Sequence, residues 1–82
     1  MSVRLDGDVI RLEGPARVED AEPLIALLQA GERRAVDLDG CGPLHAAVFQ
    51  VLLALRPPIR GTPADPFDAR WLLPLLAPQP GP

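Results

Sequence analysis

Eighty-two residues with a net charge of −3 and a pI near 4.9 make one small domain, with little room for both a deep substrate pocket and a catalytic constellation. The eight basic residues are all arginine and are scattered, which excludes the clustered positive charge of a nucleic-acid-binding surface. The lone Cys41 excludes an intrachain disulfide framework; the start "MSVRLDGDV" has no apolar leader, and no run approaches the ~20 apolar residues of a membrane span.

These features predict a cytoplasmic protein in a reducing compartment, with no nucleic-acid partner and no direct membrane insertion. Lys, Asn and Tyr do not occur, and Ser2 and Thr62 are the only hydroxyl side chains. The richness in Ala, Leu, Pro, Gly and Arg is the bias of a GC-rich genome and points to a bacterial source.

In chain order, "SVRLDGDVIRLEG" alternates apolar and polar residues around Asp6-Gly7-Asp8. Val3 and Leu5 lie before the turn, Ile10 and Leu12 after it. An Asp-Gly pair between alternating runs predicts a hairpin, because Gly accepts the positive φ such turns need. Gly14-Pro15 is expected to end the second strand.

"VEDAEPLIALLQAGE" reads as a helix whose buried face carries Ala21, Leu24, Ile25 and Leu28 at helical spacing. With Asp20 as N-cap, Pro23 falls in the first turn, where backbone N–H groups have no helical partner. Gly31 is placed just past the end. Arg33-Arg34 reads as part of a solvated loop.

"RAVDLDG" is a short strand between two helices, so it belongs inside a sheet. Cys41-Gly42-Pro43 reads as a loop, and a second helix is expected from about Leu44 to Leu55, stopped by Pro57-Pro58. A very short strand fits around Ile59. Asp65-Pro66 is an N-cap and N1 signature for a third helix. Phe67 and Trp71, four apart, are expected to pack on its inner face, and Pro74 to kink or end it. The domain is expected over residues 1–77, with 78–82 a flexible Pro-rich tail. The fold class is α/β: a small four-stranded mixed sheet with about three helices on one face.

Cys41, His45, Asp37 and Asp39 crowd the junction between the interior strand and the second helix. A structural zinc site needs about four ligands, and the chain has one Cys and one His. A Cys–His nucleophile pair needs an orienting third group, an oxyanion site and a cleft. Neither a metal, a cofactor nor an enzymatic role is therefore expected here. The second helix is more informative. On a wheel of ~100° per residue, Leu44, Val48, Val51 and Leu55 form a core face flanked by Ala47 and Leu52. His45, Phe49, Leu53 and Arg56 form a second stripe, with Ala46 and Gln50 on the far side. An outer face carrying Phe49 and Leu53 within a polar rim reads as a partner surface, unless the third helix covers it.

The same stretch, "AVDLDGCGPLHAAVFQVLLAL", resembles the STAS domain, the fold of anti-sigma factor antagonists and of sulfate-transporter cytoplasmic domains. That family carries a hydrophobic–hydrophobic–Asp-Leu-Ser strand, a short loop, an apolar residue, and Asp-Ser-(Ser/Ala)-Gly-Leu opening a helix. Val36-Asp37-Leu38-Asp39 is similar to the strand, Leu44 to the apolar residue, and Val51-Leu52-Leu53 to the Leu-rich continuation. "G.VIRLEGPA" and "LLQAGE" are similar to the family's first strand and first helix, so the likeness runs over roughly residues 2 to 77. His45 stands where the family has Asp, Ala46 where it has the phosphorylated Ser or Thr, and Val48 where it has Gly. The resemblance therefore implies a STAS-like module without phosphorylation control.

It further implies docking through the start of the second helix. The expected contact residues are Asp39, Cys41, His45, Ala46, Phe49, Gln50 and Leu53. The implied partner is a kinase-like anti-sigma factor, a transporter ATPase or a signalling-array protein. A homodimer using the same face, or an anion- or metal-binding domain, stands as the alternative.

Overall fold

The computed structural model describes residues 3–31 and 33–77; the tail expected over 78–82 lies outside them. Strands β1 (Val3–Asp6) and β2 (Val9–Leu12) form the expected antiparallel hairpin, with Val3 opposite Leu12 and Leu5 opposite Ile10. Gly7 has φ 60°, the positive value that a two-residue primed turn requires at its first position.

Helix α1 (Ala21–Ala30) follows a short 3-10 turn, Val18–Asp20, and leads into β4 (Ala35–Asp37). Asp20 is the N-cap, so Pro23 sits in the first turn as the sequence requires. The far end is closed by an unexpected group. Arg34 Nη1 donates to the Leu27 carbonyl at 2.7 Å, satisfying one of the acceptors a helix end leaves open. Gly31 has φ −136°, so it uses no left-handed freedom; a Cβ there would collide with the Arg34 guanidinium. Arg34 is thus a capping residue rather than part of a solvated loop.

Helix α2 (Ala46–Leu55) returns the chain to β6 (Ile59–Arg60), which pairs parallel with β4. The order β1-β2-β4-β6 gives a four-stranded mixed sheet, antiparallel at the hairpin and parallel elsewhere, with β4 in its interior. Ile10, Leu12 and Val36 are buried together with Leu24 of α1 and Val48 and Leu52 of α2. On the other side, Arg11 binds Asp6 at 3.1 Å and Asp37 at 2.6 Å, and Arg4 binds Glu13 at 2.8 Å. A sheet apolar on one face and laced by ion pairs on the other accepts helices on the first face.

Two expectations are corrected here. Gly14-Pro15 does not simply end β2, and Cys41-Gly42-Pro43 is not a loop. They form β3 (Gly14–Ala16) and β5 (Cys41–Leu44), a parallel two-stranded ribbon with Gly14 opposite Cys41 and Ala16 opposite Leu44. Proline is tolerated on strands with only one hydrogen-bonded neighbour. Glycine eases the pairing at two positions: Gly14 has φ 71°, and a Cβ on Gly42 would crowd the Pro15 nitrogen at 3.2 Å.

The third helical segment, 66–76, also departs from expectation. Asp65 caps it as predicted, accepting from the Asp68 N–H at 3.1 Å. It then widens into a π-helical turn, Asp68–Leu72, in which Leu73 N–H donates to the Asp68 carbonyl, and ends as α3 (Leu73–Leu76). Pro74 explains the change. Inside a regular helix it would lack its N–H and clash one turn back; here it lies in the first turn of α3, just beyond the wide turn.

Candidate functional site

The junction from β4 to α2 brings together the residues the sequence singled out, and most of their polar atoms are engaged in holding the backbone. His45 is the N-cap of α2, with φ −67° and ψ 146°; the helix therefore begins at Ala46, two residues later than expected. Its Nδ1 accepts the Ala47 N–H at 3.0 Å, in the way a Ser or Asp side chain caps a helix. This bond assigns the ring proton to Nε2. The His45 N–H donates to the Ala16 carbonyl at 2.8 Å, tying the start of α2 to β3.

Asp37 and Asp39 are equally committed. Asp37 Oδ1 accepts the Asp39 N–H at 2.8 Å, while Oδ2 holds Arg11. Asp39 Oδ1 accepts the Thr62 N–H at 3.0 Å. Gly61, at φ 74°, lies so close that a Cβ would meet both carboxylates. Asp39 therefore clamps the loop after β4 to the loop after β6, and Asp37 braces that loop against β2.

Cys41 is fully buried. Burial first, then the nearby Asp68 and Asp20, pushes its thiol up to about 11. The thiolate is the reactive and metal-binding form, and the thiol instead donates to the Gly42 carbonyl at 3.2 Å. The expectation that Cys41 meets a partner is corrected: its side chain has no exposed surface to offer. Among the described residues, no three of His, Cys, Asp or Glu converge on a cation-sized site.

The outer face of α2 is a mixture. His45, Ala46 and Gln50 are exposed, as is Asp39 in the preceding loop. Phe49 and Leu53 are half-buried and packed against the core. Leu55, expected in the core, is 41% exposed, and Leu52 takes the inner position. Between α1 and α2 runs a shallow groove of about 430 Å³ lined by Ala21, Ile25, Gln29, Ala47, Gln50, Val51, Ala54 and Leu55. Its lining mixes three alanines with Ile25, Val51 and Leu55 and two glutamines.

Sequence reasoning missed Asp68. It is only 4% exposed, and its Oδ2 accepts the Leu44 N–H at 2.9 Å. With Ala64 N–H donating to the Cys41 carbonyl at 3.0 Å, it ties the third helical segment to β5. The placement of Phe67 and Trp71 on the inner face is corrected accordingly. They are 61% and 57% exposed, because Asp68 and Leu76 occupy the buried side. No local signal marks this contact: the spacing Asp65-Pro66-Phe67-Asp68 suggests a bond back to the Asp65 N–H, whereas the carboxylate reaches Leu44, twenty-four positions away.

No match to this chain is found among protein-family models, curated protein sequences or solved structures. Among the described residues no helix is long and apolar enough to cross a membrane.

Proposed function

We propose that the chain is a non-enzymatic, STAS-like interaction module that docks a protein partner on the outer face of α2. The loop before α2 contributes Asp39; the helix contributes His45, Ala46 and Gln50, with Phe49 and Leu53 beneath. The observation that carries the reading is the contrast within this junction. Its nucleophile is buried and its other acid and base groups serve the backbone, while Ala46, Gln50, Ala54 and Leu55 stand exposed beside a groove.

Ala46 supports the absence of phosphorylation control, since alanine has no hydroxyl to accept a phosphoryl group. Such a surface suits constitutive binding. A kinase-like anti-sigma factor, a transporter ATPase and a signalling-array protein are the partner types the resemblance implies. The apolar groove beside Gln50 offers a place for a partner's side chains between α1 and α2.

The test uses exposed positions, so that folding is unaffected. Partners co-purified with the chain are titrated against Ala46→Arg and Gln50→Glu variants. Each substitution is expected to weaken binding at least ~10-fold, or about 1.4 kcal/mol, with native circular dichroism. Unchanged affinity in both variants overturns the proposal. Sedimentation of the chain alone separates the homodimer on the same face: a dimer lost in Gln50→Glu would replace the heterologous partner with a second copy.

A further inference from the structure

We infer that the exposed stripe Phe67–Trp71–Leu75 is a second docking surface, built for an acidic amphipathic helix of another protein. It lies on the third helical segment, apart from the α2 face, and stands whether or not the α2 proposal holds.

The stripe is continuous. Phe67, Trp71 and Leu75 are spaced by four, and the π-helical turn between them keeps that spacing on one side, because its repeat exceeds four residues where an α-helix has 3.6. All three are at least half-exposed. Two aromatics and a leucine in one row form the apolar core of an interface rather than scattered surface residues. Tryptophan in particular dominates binding energy where it occurs at interfaces.

The charge around the stripe selects the occupant. The Arg70 guanidinium lies over the Trp71 ring, 5.2 Å from its centroid. Arg56 reaches the other end, donating to the Leu75 carbonyl at 2.8 Å. Among the described residues neither arginine has a carboxylate within ion-pair distance, and all three ion pairs lie on Arg4 and Arg11. The acids nearest in sequence are engaged: Asp68 accepts from Leu44 and Asp65 from Asp68. On a chain of net charge −3, an apolar row flanked by two guanidiniums without carboxylate partners is complementary to apolar residues flanked by Asp or Glu.

The inner side of the same segment is apolar as well. Arg56 stands at the lip of an apolar groove of about 650 Å³, between Pro57, Pro58 and Ile59 on one side and Leu73 and Leu76 on the other. The groove faces away from the row, so a partner helix lying along the row is held by Phe67, Trp71 and Leu75 while its carboxylates meet Arg56 and Arg70.

Trp71 is the only tryptophan, so its emission reports on this surface directly. A displayed library of random peptides of about 16 residues, long enough for an amphipathic helix, is panned against the full chain and counter-selected on Trp71→Ser. Enriched peptides are expected to place apolar residues at helical spacing with Asp or Glu between them. They should shift Trp71 emission to the blue, bind at least ~10-fold more weakly to Arg56→Glu/Arg70→Glu, and weaken as salt rises. No enrichment over the Trp71→Ser decoy overturns the proposal, as does enrichment of basic or uncharged sequences. So does a blue shift with phosphatidylglycerol vesicles in place of peptides, which would make the stripe a membrane-surface element. A blue shift on concentrating the chain alone would assign the row to self-association and overturns it as well. Phe67, Trp71, Arg56 and Arg70 are exposed, so circular dichroism of each variant should be native.

Discussion

Along α2, the aromatic and leucine of the outer stripe, Phe49 and Leu53, are half-covered and rest against the core. Along 66–76, the corresponding pair, Phe67 and Trp71, stands out in solvent. Both helices carry large apolar residues four apart, which places the members of each pair on one side of their helix. What differs is the competition for the inner side. In α2 the inward positions belong to Val48, Val51 and Leu52, and the sheet, α1 and α3 leave only the flank for Phe49 and Leu53. In the third segment a buried hydrogen bond fixes the rotation. Asp68 turns inward to accept the Leu44 N–H, and Phe67 and Trp71 turn outward with respect to it. Spacing tells which residues travel together; a single polar contact decides which way they face.

The strongest way to break this comparison is through the core of α2. Leu52→Ala removes a fully buried side chain and is expected to destabilise the chain by about 2–5 kcal/mol. In a domain this small that is a large share of the total. Urea unfolding followed by circular dichroism measures it. A cost below about 1 kcal/mol would mean that α2 is not seated on the sheet as described.

Asp68 comes next. Asp68→Ala leaves the Leu44 N–H without its acceptor inside the fold, an expected loss of about 1–3 kcal/mol. Asp68→Asn keeps a side-chain oxygen for that bond and should recover most of it. Amide exchange at Leu44 should accelerate in the alanine variant and stay slow in the asparagine variant. Equal exchange in both would show that Asp68 does not set the rotation of the third segment.

Much of this fold was legible because it rests on patterns a short window can hold. The alternation around Gly7, the apolar spacing of α1, the β4 position between two helices and the Asp65 cap all follow from local rules. The mixed four-stranded sheet follows from their order. The ribbon of β3 and β5 was hidden because both strands are made of breakers. "GPA" and "CGPL" read as turns locally, and only their proximity, twenty-seven positions apart for Gly14 and Cys41, pairs them. Asp68 was hidden for a related reason: a buried acid interrupts the apolar pattern that marks an inner face, so the aromatics beside it were assigned inward. At the candidate site, the sequence brought His45, Asp37, Asp39 and Cys41 to one junction correctly. The bonds of His45 to Ala47 and of Cys41 to Gly42 are local, the first of the kind a helix start offers; the reach of Asp39 to Thr62 is defined by folded geometry alone.

The smallest expected effect is the most discriminating. Trp71→Ala and Phe67→Ala each remove a large aromatic, which in a core would cost about 3–5 kcal/mol. Here each side chain is more than half exposed, and the Arg70–Trp71 stacking is a surface cation–π contact of about 0.5–1 kcal/mol. Both variants should therefore unfold within about 1 kcal/mol of the parent chain, while Trp71 in the parent emits as a water-exposed indole that added acrylamide quenches readily. A loss of several kcal/mol, or an indole shielded from acrylamide, would place these aromatics inside the fold, with the third segment rotated about its axis. Asp68 could not then face Leu44. The same unfolding curve thus tests the exposure of the stripe and the buried contact that enforces it.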